Sequence, residues 1–322
     1  MKKILIIGAG GFVGKNLIEA ACADPSIGRV HIIVRKRDNE LSRIIATHEK
    51  NLRIHELDVV IDQDRLQELM ATEVFDGIIN LSTNTQSLKD NGTDKCVEKE
   101  MSMLKAILNS VAQGSTAQST YIDFSSCAIY EGSEKIISEN SNLKPNRAYG
   151  GYAVAKYERH LYLIEFLKRK HIRSFLFVPF FLYGAYENPK RLFPLIVHRL
   201  LKEEYLPLTK CEQFRDYLHV HDLCTAIILA LSSKTTAIAE VLNIGSGNGT
   251  KIKDFAIAIA HAMHKPETLL GFGELPERKE EIPRIVANIA KAQIMLGWSP
   301  KIDLVDGIQK SLPCYDKINH HE

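Results

Sequence analysis

The chain has 322 residues, of which 45% are hydrophobic and 25% charged: room for one large domain or two unequal ones around an ample core. A formal net charge of +2 argues against nucleic acid or an anionic membrane as a partner. Six scattered cysteines (Cys22, Cys96, Cys127, Cys211, Cys224, Cys314) show no C-x-x-C spacing, so neither a zinc ribbon nor a disulfide framework is indicated, and reduced cytosolic thiols are the simple reading. The chain opens "MKKILIIGAGGFVGKNLIEAA". Its apolar run breaks at Gly8, too early for a secretory signal, and no later stretch approaches the length of a membrane span, so a soluble cytoplasmic protein is expected. Ile4 to Ile7 form a branched apolar run that predicts a strand buried on both faces. Phe12, Val13, Leu17, Ile18 and Ala21 then recur at helical spacing. Between them stand Gly8, Gly11 and Gly14, which read either as a tight strand-to-helix turn or as a backbone cradle for a phosphate at a helix N-terminus.

Further strands are expected over Val30–Val34, Arg53–Leu57, Gly77–Leu81, Thr120–Ser125 and Ser174–Val178. Helices are expected over Gly14–Ala23, Asp64–Ala71, Lys95–Gln113 and Tyr152–Lys170. This alternation predicts a doubly wound parallel α/β sheet of Rossmann type, with ligands beyond the carboxyl ends of its strands. After Pro179 the rhythm loosens through "FFLYGAYENPKRLFPLIVHRLLKEEYLPL". Helices at Asp222–Leu231 and Ile252–His264 flank a strand-like "EVLNIGSG", and the polar tail "INHHE" is expected to fray. We expect a dinucleotide-binding domain of residues 1–180 plus roughly 213–245, interleaved with a smaller substrate domain of residues 181–212 and 246–322.

Two mid-chain stretches carry chemistry. "YIDFSSCAIY" ends a strand with paired serines, and "YGGYAVAKYERH" places Tyr152 and Lys156 four apart, on one helical face. An ammonium beside a phenol favours the phenolate, so the Tyr can exchange a proton with a sugar hydroxyl or carbonyl oxygen, and Ser126 can hydrogen-bond the same oxygen. A lone Y-x-x-x-K is more often a surface pair, but here it occurs with the glycine turn and the serines. His219 and His221 would share a strand face, yet no third ligand accompanies them, and no metal site is expected. The second strand ends "IIVRKRD": Arg35 stands where NAD-selective sites place an acid for the ribose 2′-hydroxyl, and a guanidinium suits a 2′-phosphate. Arg37 lies nearby, a solvated basic turn is the plainer reading, and Asp38 offers an acid that could restore NAD binding.

With these residues in hand, the chain resembles, nearly end to end, the extended short-chain dehydrogenase/reductases that include nucleotide-sugar epimerases, dehydratases and reductases. "GAGGFVG" resembles the cofactor loop, Asp58 in "HELDVV" the adenine-contacting acid, and "IINLST" the strand beside the nicotinamide ribose; "FRDYLHVHDL", "LNIGSG" and "KAQIMLGWSP" resemble later landmarks. The resemblance implies Ser126, Tyr152 and Lys156 as the catalytic set. It implies cofactor contacts at Gly8, Gly11, Phe12, Val13, Gly14, Arg35, Asp58, Val59, Leu81 and Lys156. Where the 4,6-dehydratases carry an adjacent Asp-Glu pair this chain has Cys127 and Ala128, which disfavours dehydration, and "VPFFLYG" departs from the family's usual segment. The region from Tyr186 onward resembles deoxysugar-nucleotide 4-ketoreductases, with Arg191, Arg215 and Arg284 as candidates for the substrate diphosphate and nucleoside. The expected activity is NADP-dependent reduction (NAD being possible) of a 4-keto nucleotide-sugar. A 4-epimerase is the alternative, and a non-catalytic dinucleotide sensor, which would tend to lose the Tyr or Lys, ranks low. A homodimer built on the helices Lys95–Gln113 and Tyr152–Lys170 is implied by the same resemblance.

Overall fold

The apolar run near the N-terminus does become a strand buried on both faces: Ile4, Leu5, Ile6 and Ile7 are all fully buried. The computed structural model describes residues 1–83, 93–114, 119–132, 136–277 and 281–316; the tail "INHHE" lies outside the described residues. In chain order the elements are β1 (Lys2–Ile7), α1 (Phe12–Ala23), β2 (Ile27–Val34), α2 (Asn39–His48), β3 (Leu52–Glu56), α3 (Gln63–Thr72), β4 (Gly77–Asn80), α4 (Thr93–Gln113), β5 (Thr120–Phe124), α5 (Gly150–Arg169) and β6 (Ser174–Pro179). There follow β7 (Phe181–Tyr183), α6 (Leu192–Leu201), β8 (Leu206–Leu208), β9 (Phe214–Arg215), β10 (Tyr217–His219), α7 (Val220–Ser232) and β11 (Glu240–Ile244). The chain closes with β12 (Thr250–Lys251), α8 (Ile252–Ala262), β13 (Leu270–Phe272), β14 (Arg284–Ile285), α9 (Ala290–Leu296) and α10 (Leu304–Asp316).

Seven strands form one sheet in the order β11-β6-β5-β4-β1-β2-β3. The pairs β1–β2, β1–β4, β2–β3, β4–β5 and β5–β6 are all parallel. This is the Rossmann-type α/β sheet expected from the alternation. The strand order reverses between β1 and β4, so a crevice opens beyond their carboxyl ends, the place where open α/β sheets take ligands. Leu5, Ile7, Ile33, Leu66, Ile78, Leu104, Ile107, Tyr121 and Leu163 form the core against this sheet.

The chain divides into two compact units. The first holds residues 1–131, 142–178 and 224–242; the second holds 132–141, 179–223 and 243–322. The second unit has its own core, in which Tyr183, Phe193, Ile196, Leu200, Phe255, Ile259 and Ile308 pack together. Two boundaries differ from the sequence expectation. Residues 213–223 fall in the second unit because β9 pairs with β12 and β14, and β10 pairs with β7. Residues 132–141 join it because Ile137 bridges Ala287 and its carbonyl accepts from the Asn243 side chain.

Four helices, α2, α6, α9 and α10, escape the reading by periodicity. In α2 only Leu41 and Ile44 are buried, too few to make a stripe. In α6 the prolines of the segment suggest a loop, but Pro194 sits in the first turn, where the missing N–H breaks no bond. His221 lies within α7 and not on a strand, so it does not share a strand face with His219.

Candidate active site

The three glycines of the opening turn do different work. Gly8 follows β1 at φ +80°. A Cβ there would stand 2.8 Å from the Ser82 backbone nitrogen, just past β4. On Gly14 a Cβ would stand 2.4 Å from the Ala9 carbonyl oxygen, so helix and turn touch backbone to backbone. Gly11 differs: it is exposed, and a Cβ there meets only the Gly8 carbonyl at an ordinary 3.5 Å. The protein's own packing leaves that space to an incoming group. Gly11 also caps α1 without a side-chain hydrogen bond, and no acid occupies the first turn. The amides of Phe12 and Val13 thus lack an intrahelical partner at a positively polarised helix end. These features fit a pyrophosphate, and hence a dinucleotide.

Arg35, Asp58 with Val59, and Leu81 follow the carboxyl ends of β2, β3 and β4 respectively. Leu81 donates its amide to the Ile7 carbonyl at 2.9 Å, continuing the β1–β4 pairing past the strand ends. Asp58 follows β3; its Oδ1 accepts the amides of Val60 at 2.9 Å and Ile61 at 3.3 Å, so it shapes its own turn, and Val59 is buried. Arg35 is exposed just beyond β2. Asp38 is committed elsewhere: its Oδ1 caps α2 by accepting from the Leu41 amide at 2.7 Å, and its Oδ2 takes the Lys15 ammonium at 2.8 Å. Lys15, almost wholly buried, also pairs with Glu40 at 2.5 Å. These bonds to Lys15 and the Leu41 amide hold the Asp38 carboxyl below its usual range against the opposing effect of burial. Arg37 pairs with Glu56.

Ser126, Tyr152 and Lys156 all belong to the first unit. Ser126 follows β5 and caps the short 3-10 turn Cys127–Ile129; its oxygen accepts the Ala128 amide at 3.3 Å, which leaves its own O–H to donate elsewhere. Tyr152 lies in the first turn of α5, half-buried. Lys156 Nζ stands 5.9 Å from the centroid of the Tyr152 ring. The cation and the phenol are therefore neighbours, as the four-residue spacing requires.

Beneath this pair lies a buried charge cluster. Lys156 Nζ donates to Glu100 Oε1 at 2.7 Å, and Arg159 reaches the same oxygen at 3.3 Å. Arg159 also donates to Asp123 Oδ1 at 2.6 Å. Asp123 Oδ2 takes Asn80 at 2.8 Å and the Tyr121 hydroxyl at 2.5 Å. Burial and Asp123 hold the Tyr121 phenol well above its usual range. Burial alone would lower Arg159, but Asp123 and Glu100 beside it keep it charged. The sequence reading passed over Glu100, Asp123, Arg159 and Lys15. A signal for two of them existed. Glu100 interrupts the otherwise apolar stripe Cys96, Leu104, Ile107, Val111 of α4, and Arg159 sits seven residues after Tyr152 on the buried face of α5.

The three arginines proposed for substrate lie in the second unit and have unequal freedom. Arg191 caps α6 with its side chain 57% exposed, 3.7 Å from Glu187. Arg284 lies over the Phe214 ring at 5.2 Å. Arg215 is buried; it pairs with Glu281 and donates to the carbonyls of Phe214 at 2.8 Å and Ile282 at 2.9 Å. His219 Nε2 meets the Ser311 hydroxyl at 3.2 Å, and its Nδ1 accepts the His221 amide.

A glycine turn at the switch point of a parallel sheet, with a Tyr–Lys pair on the helix after the fifth strand, defines a Rossmann-type dinucleotide enzyme. The chain belongs to the NAD dependent epimerase/dehydratase family, whose model matches residues 4–245, and it is an enzyme of that family with a nicotinamide dinucleotide as its cofactor. It is 25% identical over 322 residues to the CDP-abequose synthase of Salmonella typhimurium, covering 96% of this chain and 97% of that protein. It is 22% identical over 318 residues to the dTDP-4-dehydro-6-deoxyglucose reductase of Escherichia coli, covering 95% of each. Among solved structures, the UDP-glucuronic acid 4-epimerase of Bacillus cereus, in complex with UDP-glucuronic acid and NAD, superposes with a TM-score of 0.82 at 22% identity, over 98% of this chain and 99% of that one. Among the described residues no helix is long and apolar enough to cross a membrane.

Proposed function

We propose that this protein is an NADP-dependent reductase of a 4-keto nucleotide-sugar. The observation that carries the reading is the commitment of Asp38 to Lys15 and to the α2 cap, beside an exposed Arg35. Asp38, the acid able to accept a ribose 2′-hydroxyl, already accepts from Lys15 and the Leu41 amide, and at the strand end stands an exposed guanidinium suited to a 2′-phosphate. A 2′-phosphorylated cofactor that is released and renewed suits net reduction. The relative named as a dTDP-4-dehydro-6-deoxyglucose reductase supports the same direction.

When bound, the reduced nicotinamide supplies hydride to the carbonyl carbon. Tyr152 gives its phenolic proton to the carbonyl oxygen, so the ketone leaves as an alcohol. The Ser126 hydroxyl donates to that same oxygen and fixes its direction. Lys156 stabilises the phenolate left behind and holds the cofactor ribose. Cys127 and Ala128 offer no carboxyl for eliminating water. In the second unit, Arg191 and Arg284 are the substrate-diphosphate candidates with guanidinium groups least committed to the protein, whereas Arg215, on β9, is tied to Glu281 and the Ile282 carbonyl.

The second reading, a 4-epimerase, uses the same three side chains and is favoured by the likeness to the UDP-glucuronic acid 4-epimerase. One experiment separates them. The purified protein is offered a panel of 4-keto nucleotide-sugars with NADPH, and product mass and NADPH consumption are followed together. Stoichiometric oxidation of NADPH with a gain of two hydrogens in one sugar is expected. A protein that purifies with tightly held NAD and interconverts two hydroxy-sugars without net oxidation would establish the epimerase instead.

A further inference from the structure

The cluster beneath the Tyr–Lys pair joins α4, α5 and β5 through four charges: Lys156 and Arg159 positive, Glu100 and Asp123 negative. All four are buried, and their formal charges cancel. Lys156 therefore meets Tyr152 with a carboxylate already on its ammonium, 2.7 Å away. A bare cation at this range favours the phenolate; a carboxylate on that cation opposes it. We propose that Glu100 is a positioning residue: it seats Lys156 for Tyr152 and, by offsetting the lysine charge, keeps the proton on Tyr152 up to a higher pH. This rests on the reading of Tyr152 as the proton donor.

The other polar and titratable groups packed on the cluster do not supply the same lever. Tyr121 keeps its proton, bonded to Asp123. His160, on α5, is held down to about 4 by burial and is neutral at working pH. The Thr83 hydroxyl stands 3.3 Å from both Glu100 oxygens and carries no charge. Asn80 bonds Asp123 from β4. With Glu100 neutral, Lys156, Arg159 and Asp123 together carry one net positive charge beside the phenol.

The test is the ultraviolet phenolate titration of the whole protein, read as the difference from its Tyr152→Phe counterpart, in the native and the Glu100→Gln backgrounds. The Gln side chain keeps the volume and an oxygen acceptor for Lys156 and loses only the charge. The Tyr152 band is expected to move about one pH unit lower in Glu100→Gln, and the alkaline limb of kcat moves with it. An identical titration in the two backgrounds overturns the proposal. Should the Gln variant fail to fold, Glu100→Asp keeps the charge and withdraws it by one methylene. The carboxylate still offsets the lysine charge, so the Tyr152 band moves little, while kcat falls severalfold because Lys156 is less firmly seated, and an Asp variant with full kcat overturns the seating role. The titration needs no substrate, so the absence of turnover with every ketosugar would sink the reductase reading and leave the Glu100 result standing.

Discussion

At the scale of single residues, the site separates proton transfer from cofactor choice. Tyr152→Phe keeps the ring and removes the acid, so kcat should fall at least ~10²-fold, the usual scale of acid–base work, while dinucleotide affinity barely changes. Near-normal turnover of that variant would reject the assignment. Lys156→Met should lower both turnover and affinity. Arg35 governs the other choice. If it reads a 2′-phosphate, NADPH should bind more tightly than NADH by about one to two orders of magnitude, the scale of a charge-assisted hydrogen bond. Arg35→Ala should erase most of that preference and leave NADH binding nearly intact, as measured by fluorescence titration. Releasing Asp38 by Lys15→Met should shift the same ratio toward NADH, because the freed carboxylate regains access to a 2′-hydroxyl.

At the scale of elements, the glycine turn makes a paired prediction. Gly14→Ala drives a Cβ against the Ala9 carbonyl, and an overpacked contact of this kind costs about 1–3 kcal/mol, readable as a lower urea midpoint. Gly11→Val meets no such obstacle in the protein. It should fold with a near-native midpoint and lose dinucleotide binding, since the side chain takes the space left for the pyrophosphate. Unchanged affinity in Gly11→Val would reduce the glycines to turn chemistry alone. This division was only half legible beforehand. The sheet, the glycine turn and the Tyr–Lys pair announce themselves through local pattern: a branched apolar run, a spacing of three, a spacing of four. The buried cluster does not, because Glu100 and Asp123 lie 23 residues apart in sequence and are joined only through Arg159 of α5. The helices α2 and α6 were hidden for a different reason: one has too small an apolar face, and the other carries a proline tolerated only by its position.

At the scale of the whole molecule, buried titratable groups set the pH range of stability. His31, His160 and His219 are each pushed down to about 4, chiefly by burial. The unfolded chain binds protons on these groups from about 6.5 downward and the folded chain does not, so their contribution is complete above that pH and is lost as pH falls toward 4. Glu187 works in the opposite direction. It is almost wholly buried, its Oε2 has no hydrogen-bond partner among the described residues, and burial pushes it up to about 8 against the pull of Arg191. Between the ordinary carboxyl range and about 8 its folded form holds a proton that the unfolded form has released, so its stabilisation, complete in acid, is lost progressively as pH rises to about 8 and is gone above it. Urea midpoints should therefore peak near neutrality, drop steeply toward about pH 4 and decline gently to about pH 8, levelling off beyond it. Glu187→Gln should flatten the decline between neutrality and about pH 8 and steepen the acid limb, where the carboxyl no longer offsets the histidines. The interleaving of the two units bears on how the molecule is made. The strands β3, β2, β1, β4 and β5 are complete by Phe124 and β6 by Pro179, but β11, the neighbour of β6, begins only at Glu240. A ribosome adding about 5–20 residues per second leaves the outer edge of β6 unpaired for roughly 3–12 s, a template that a second nascent chain can join. Synonymous codons that slow translation between Pro179 and Glu240 should thus lower soluble yield without altering a single amino acid.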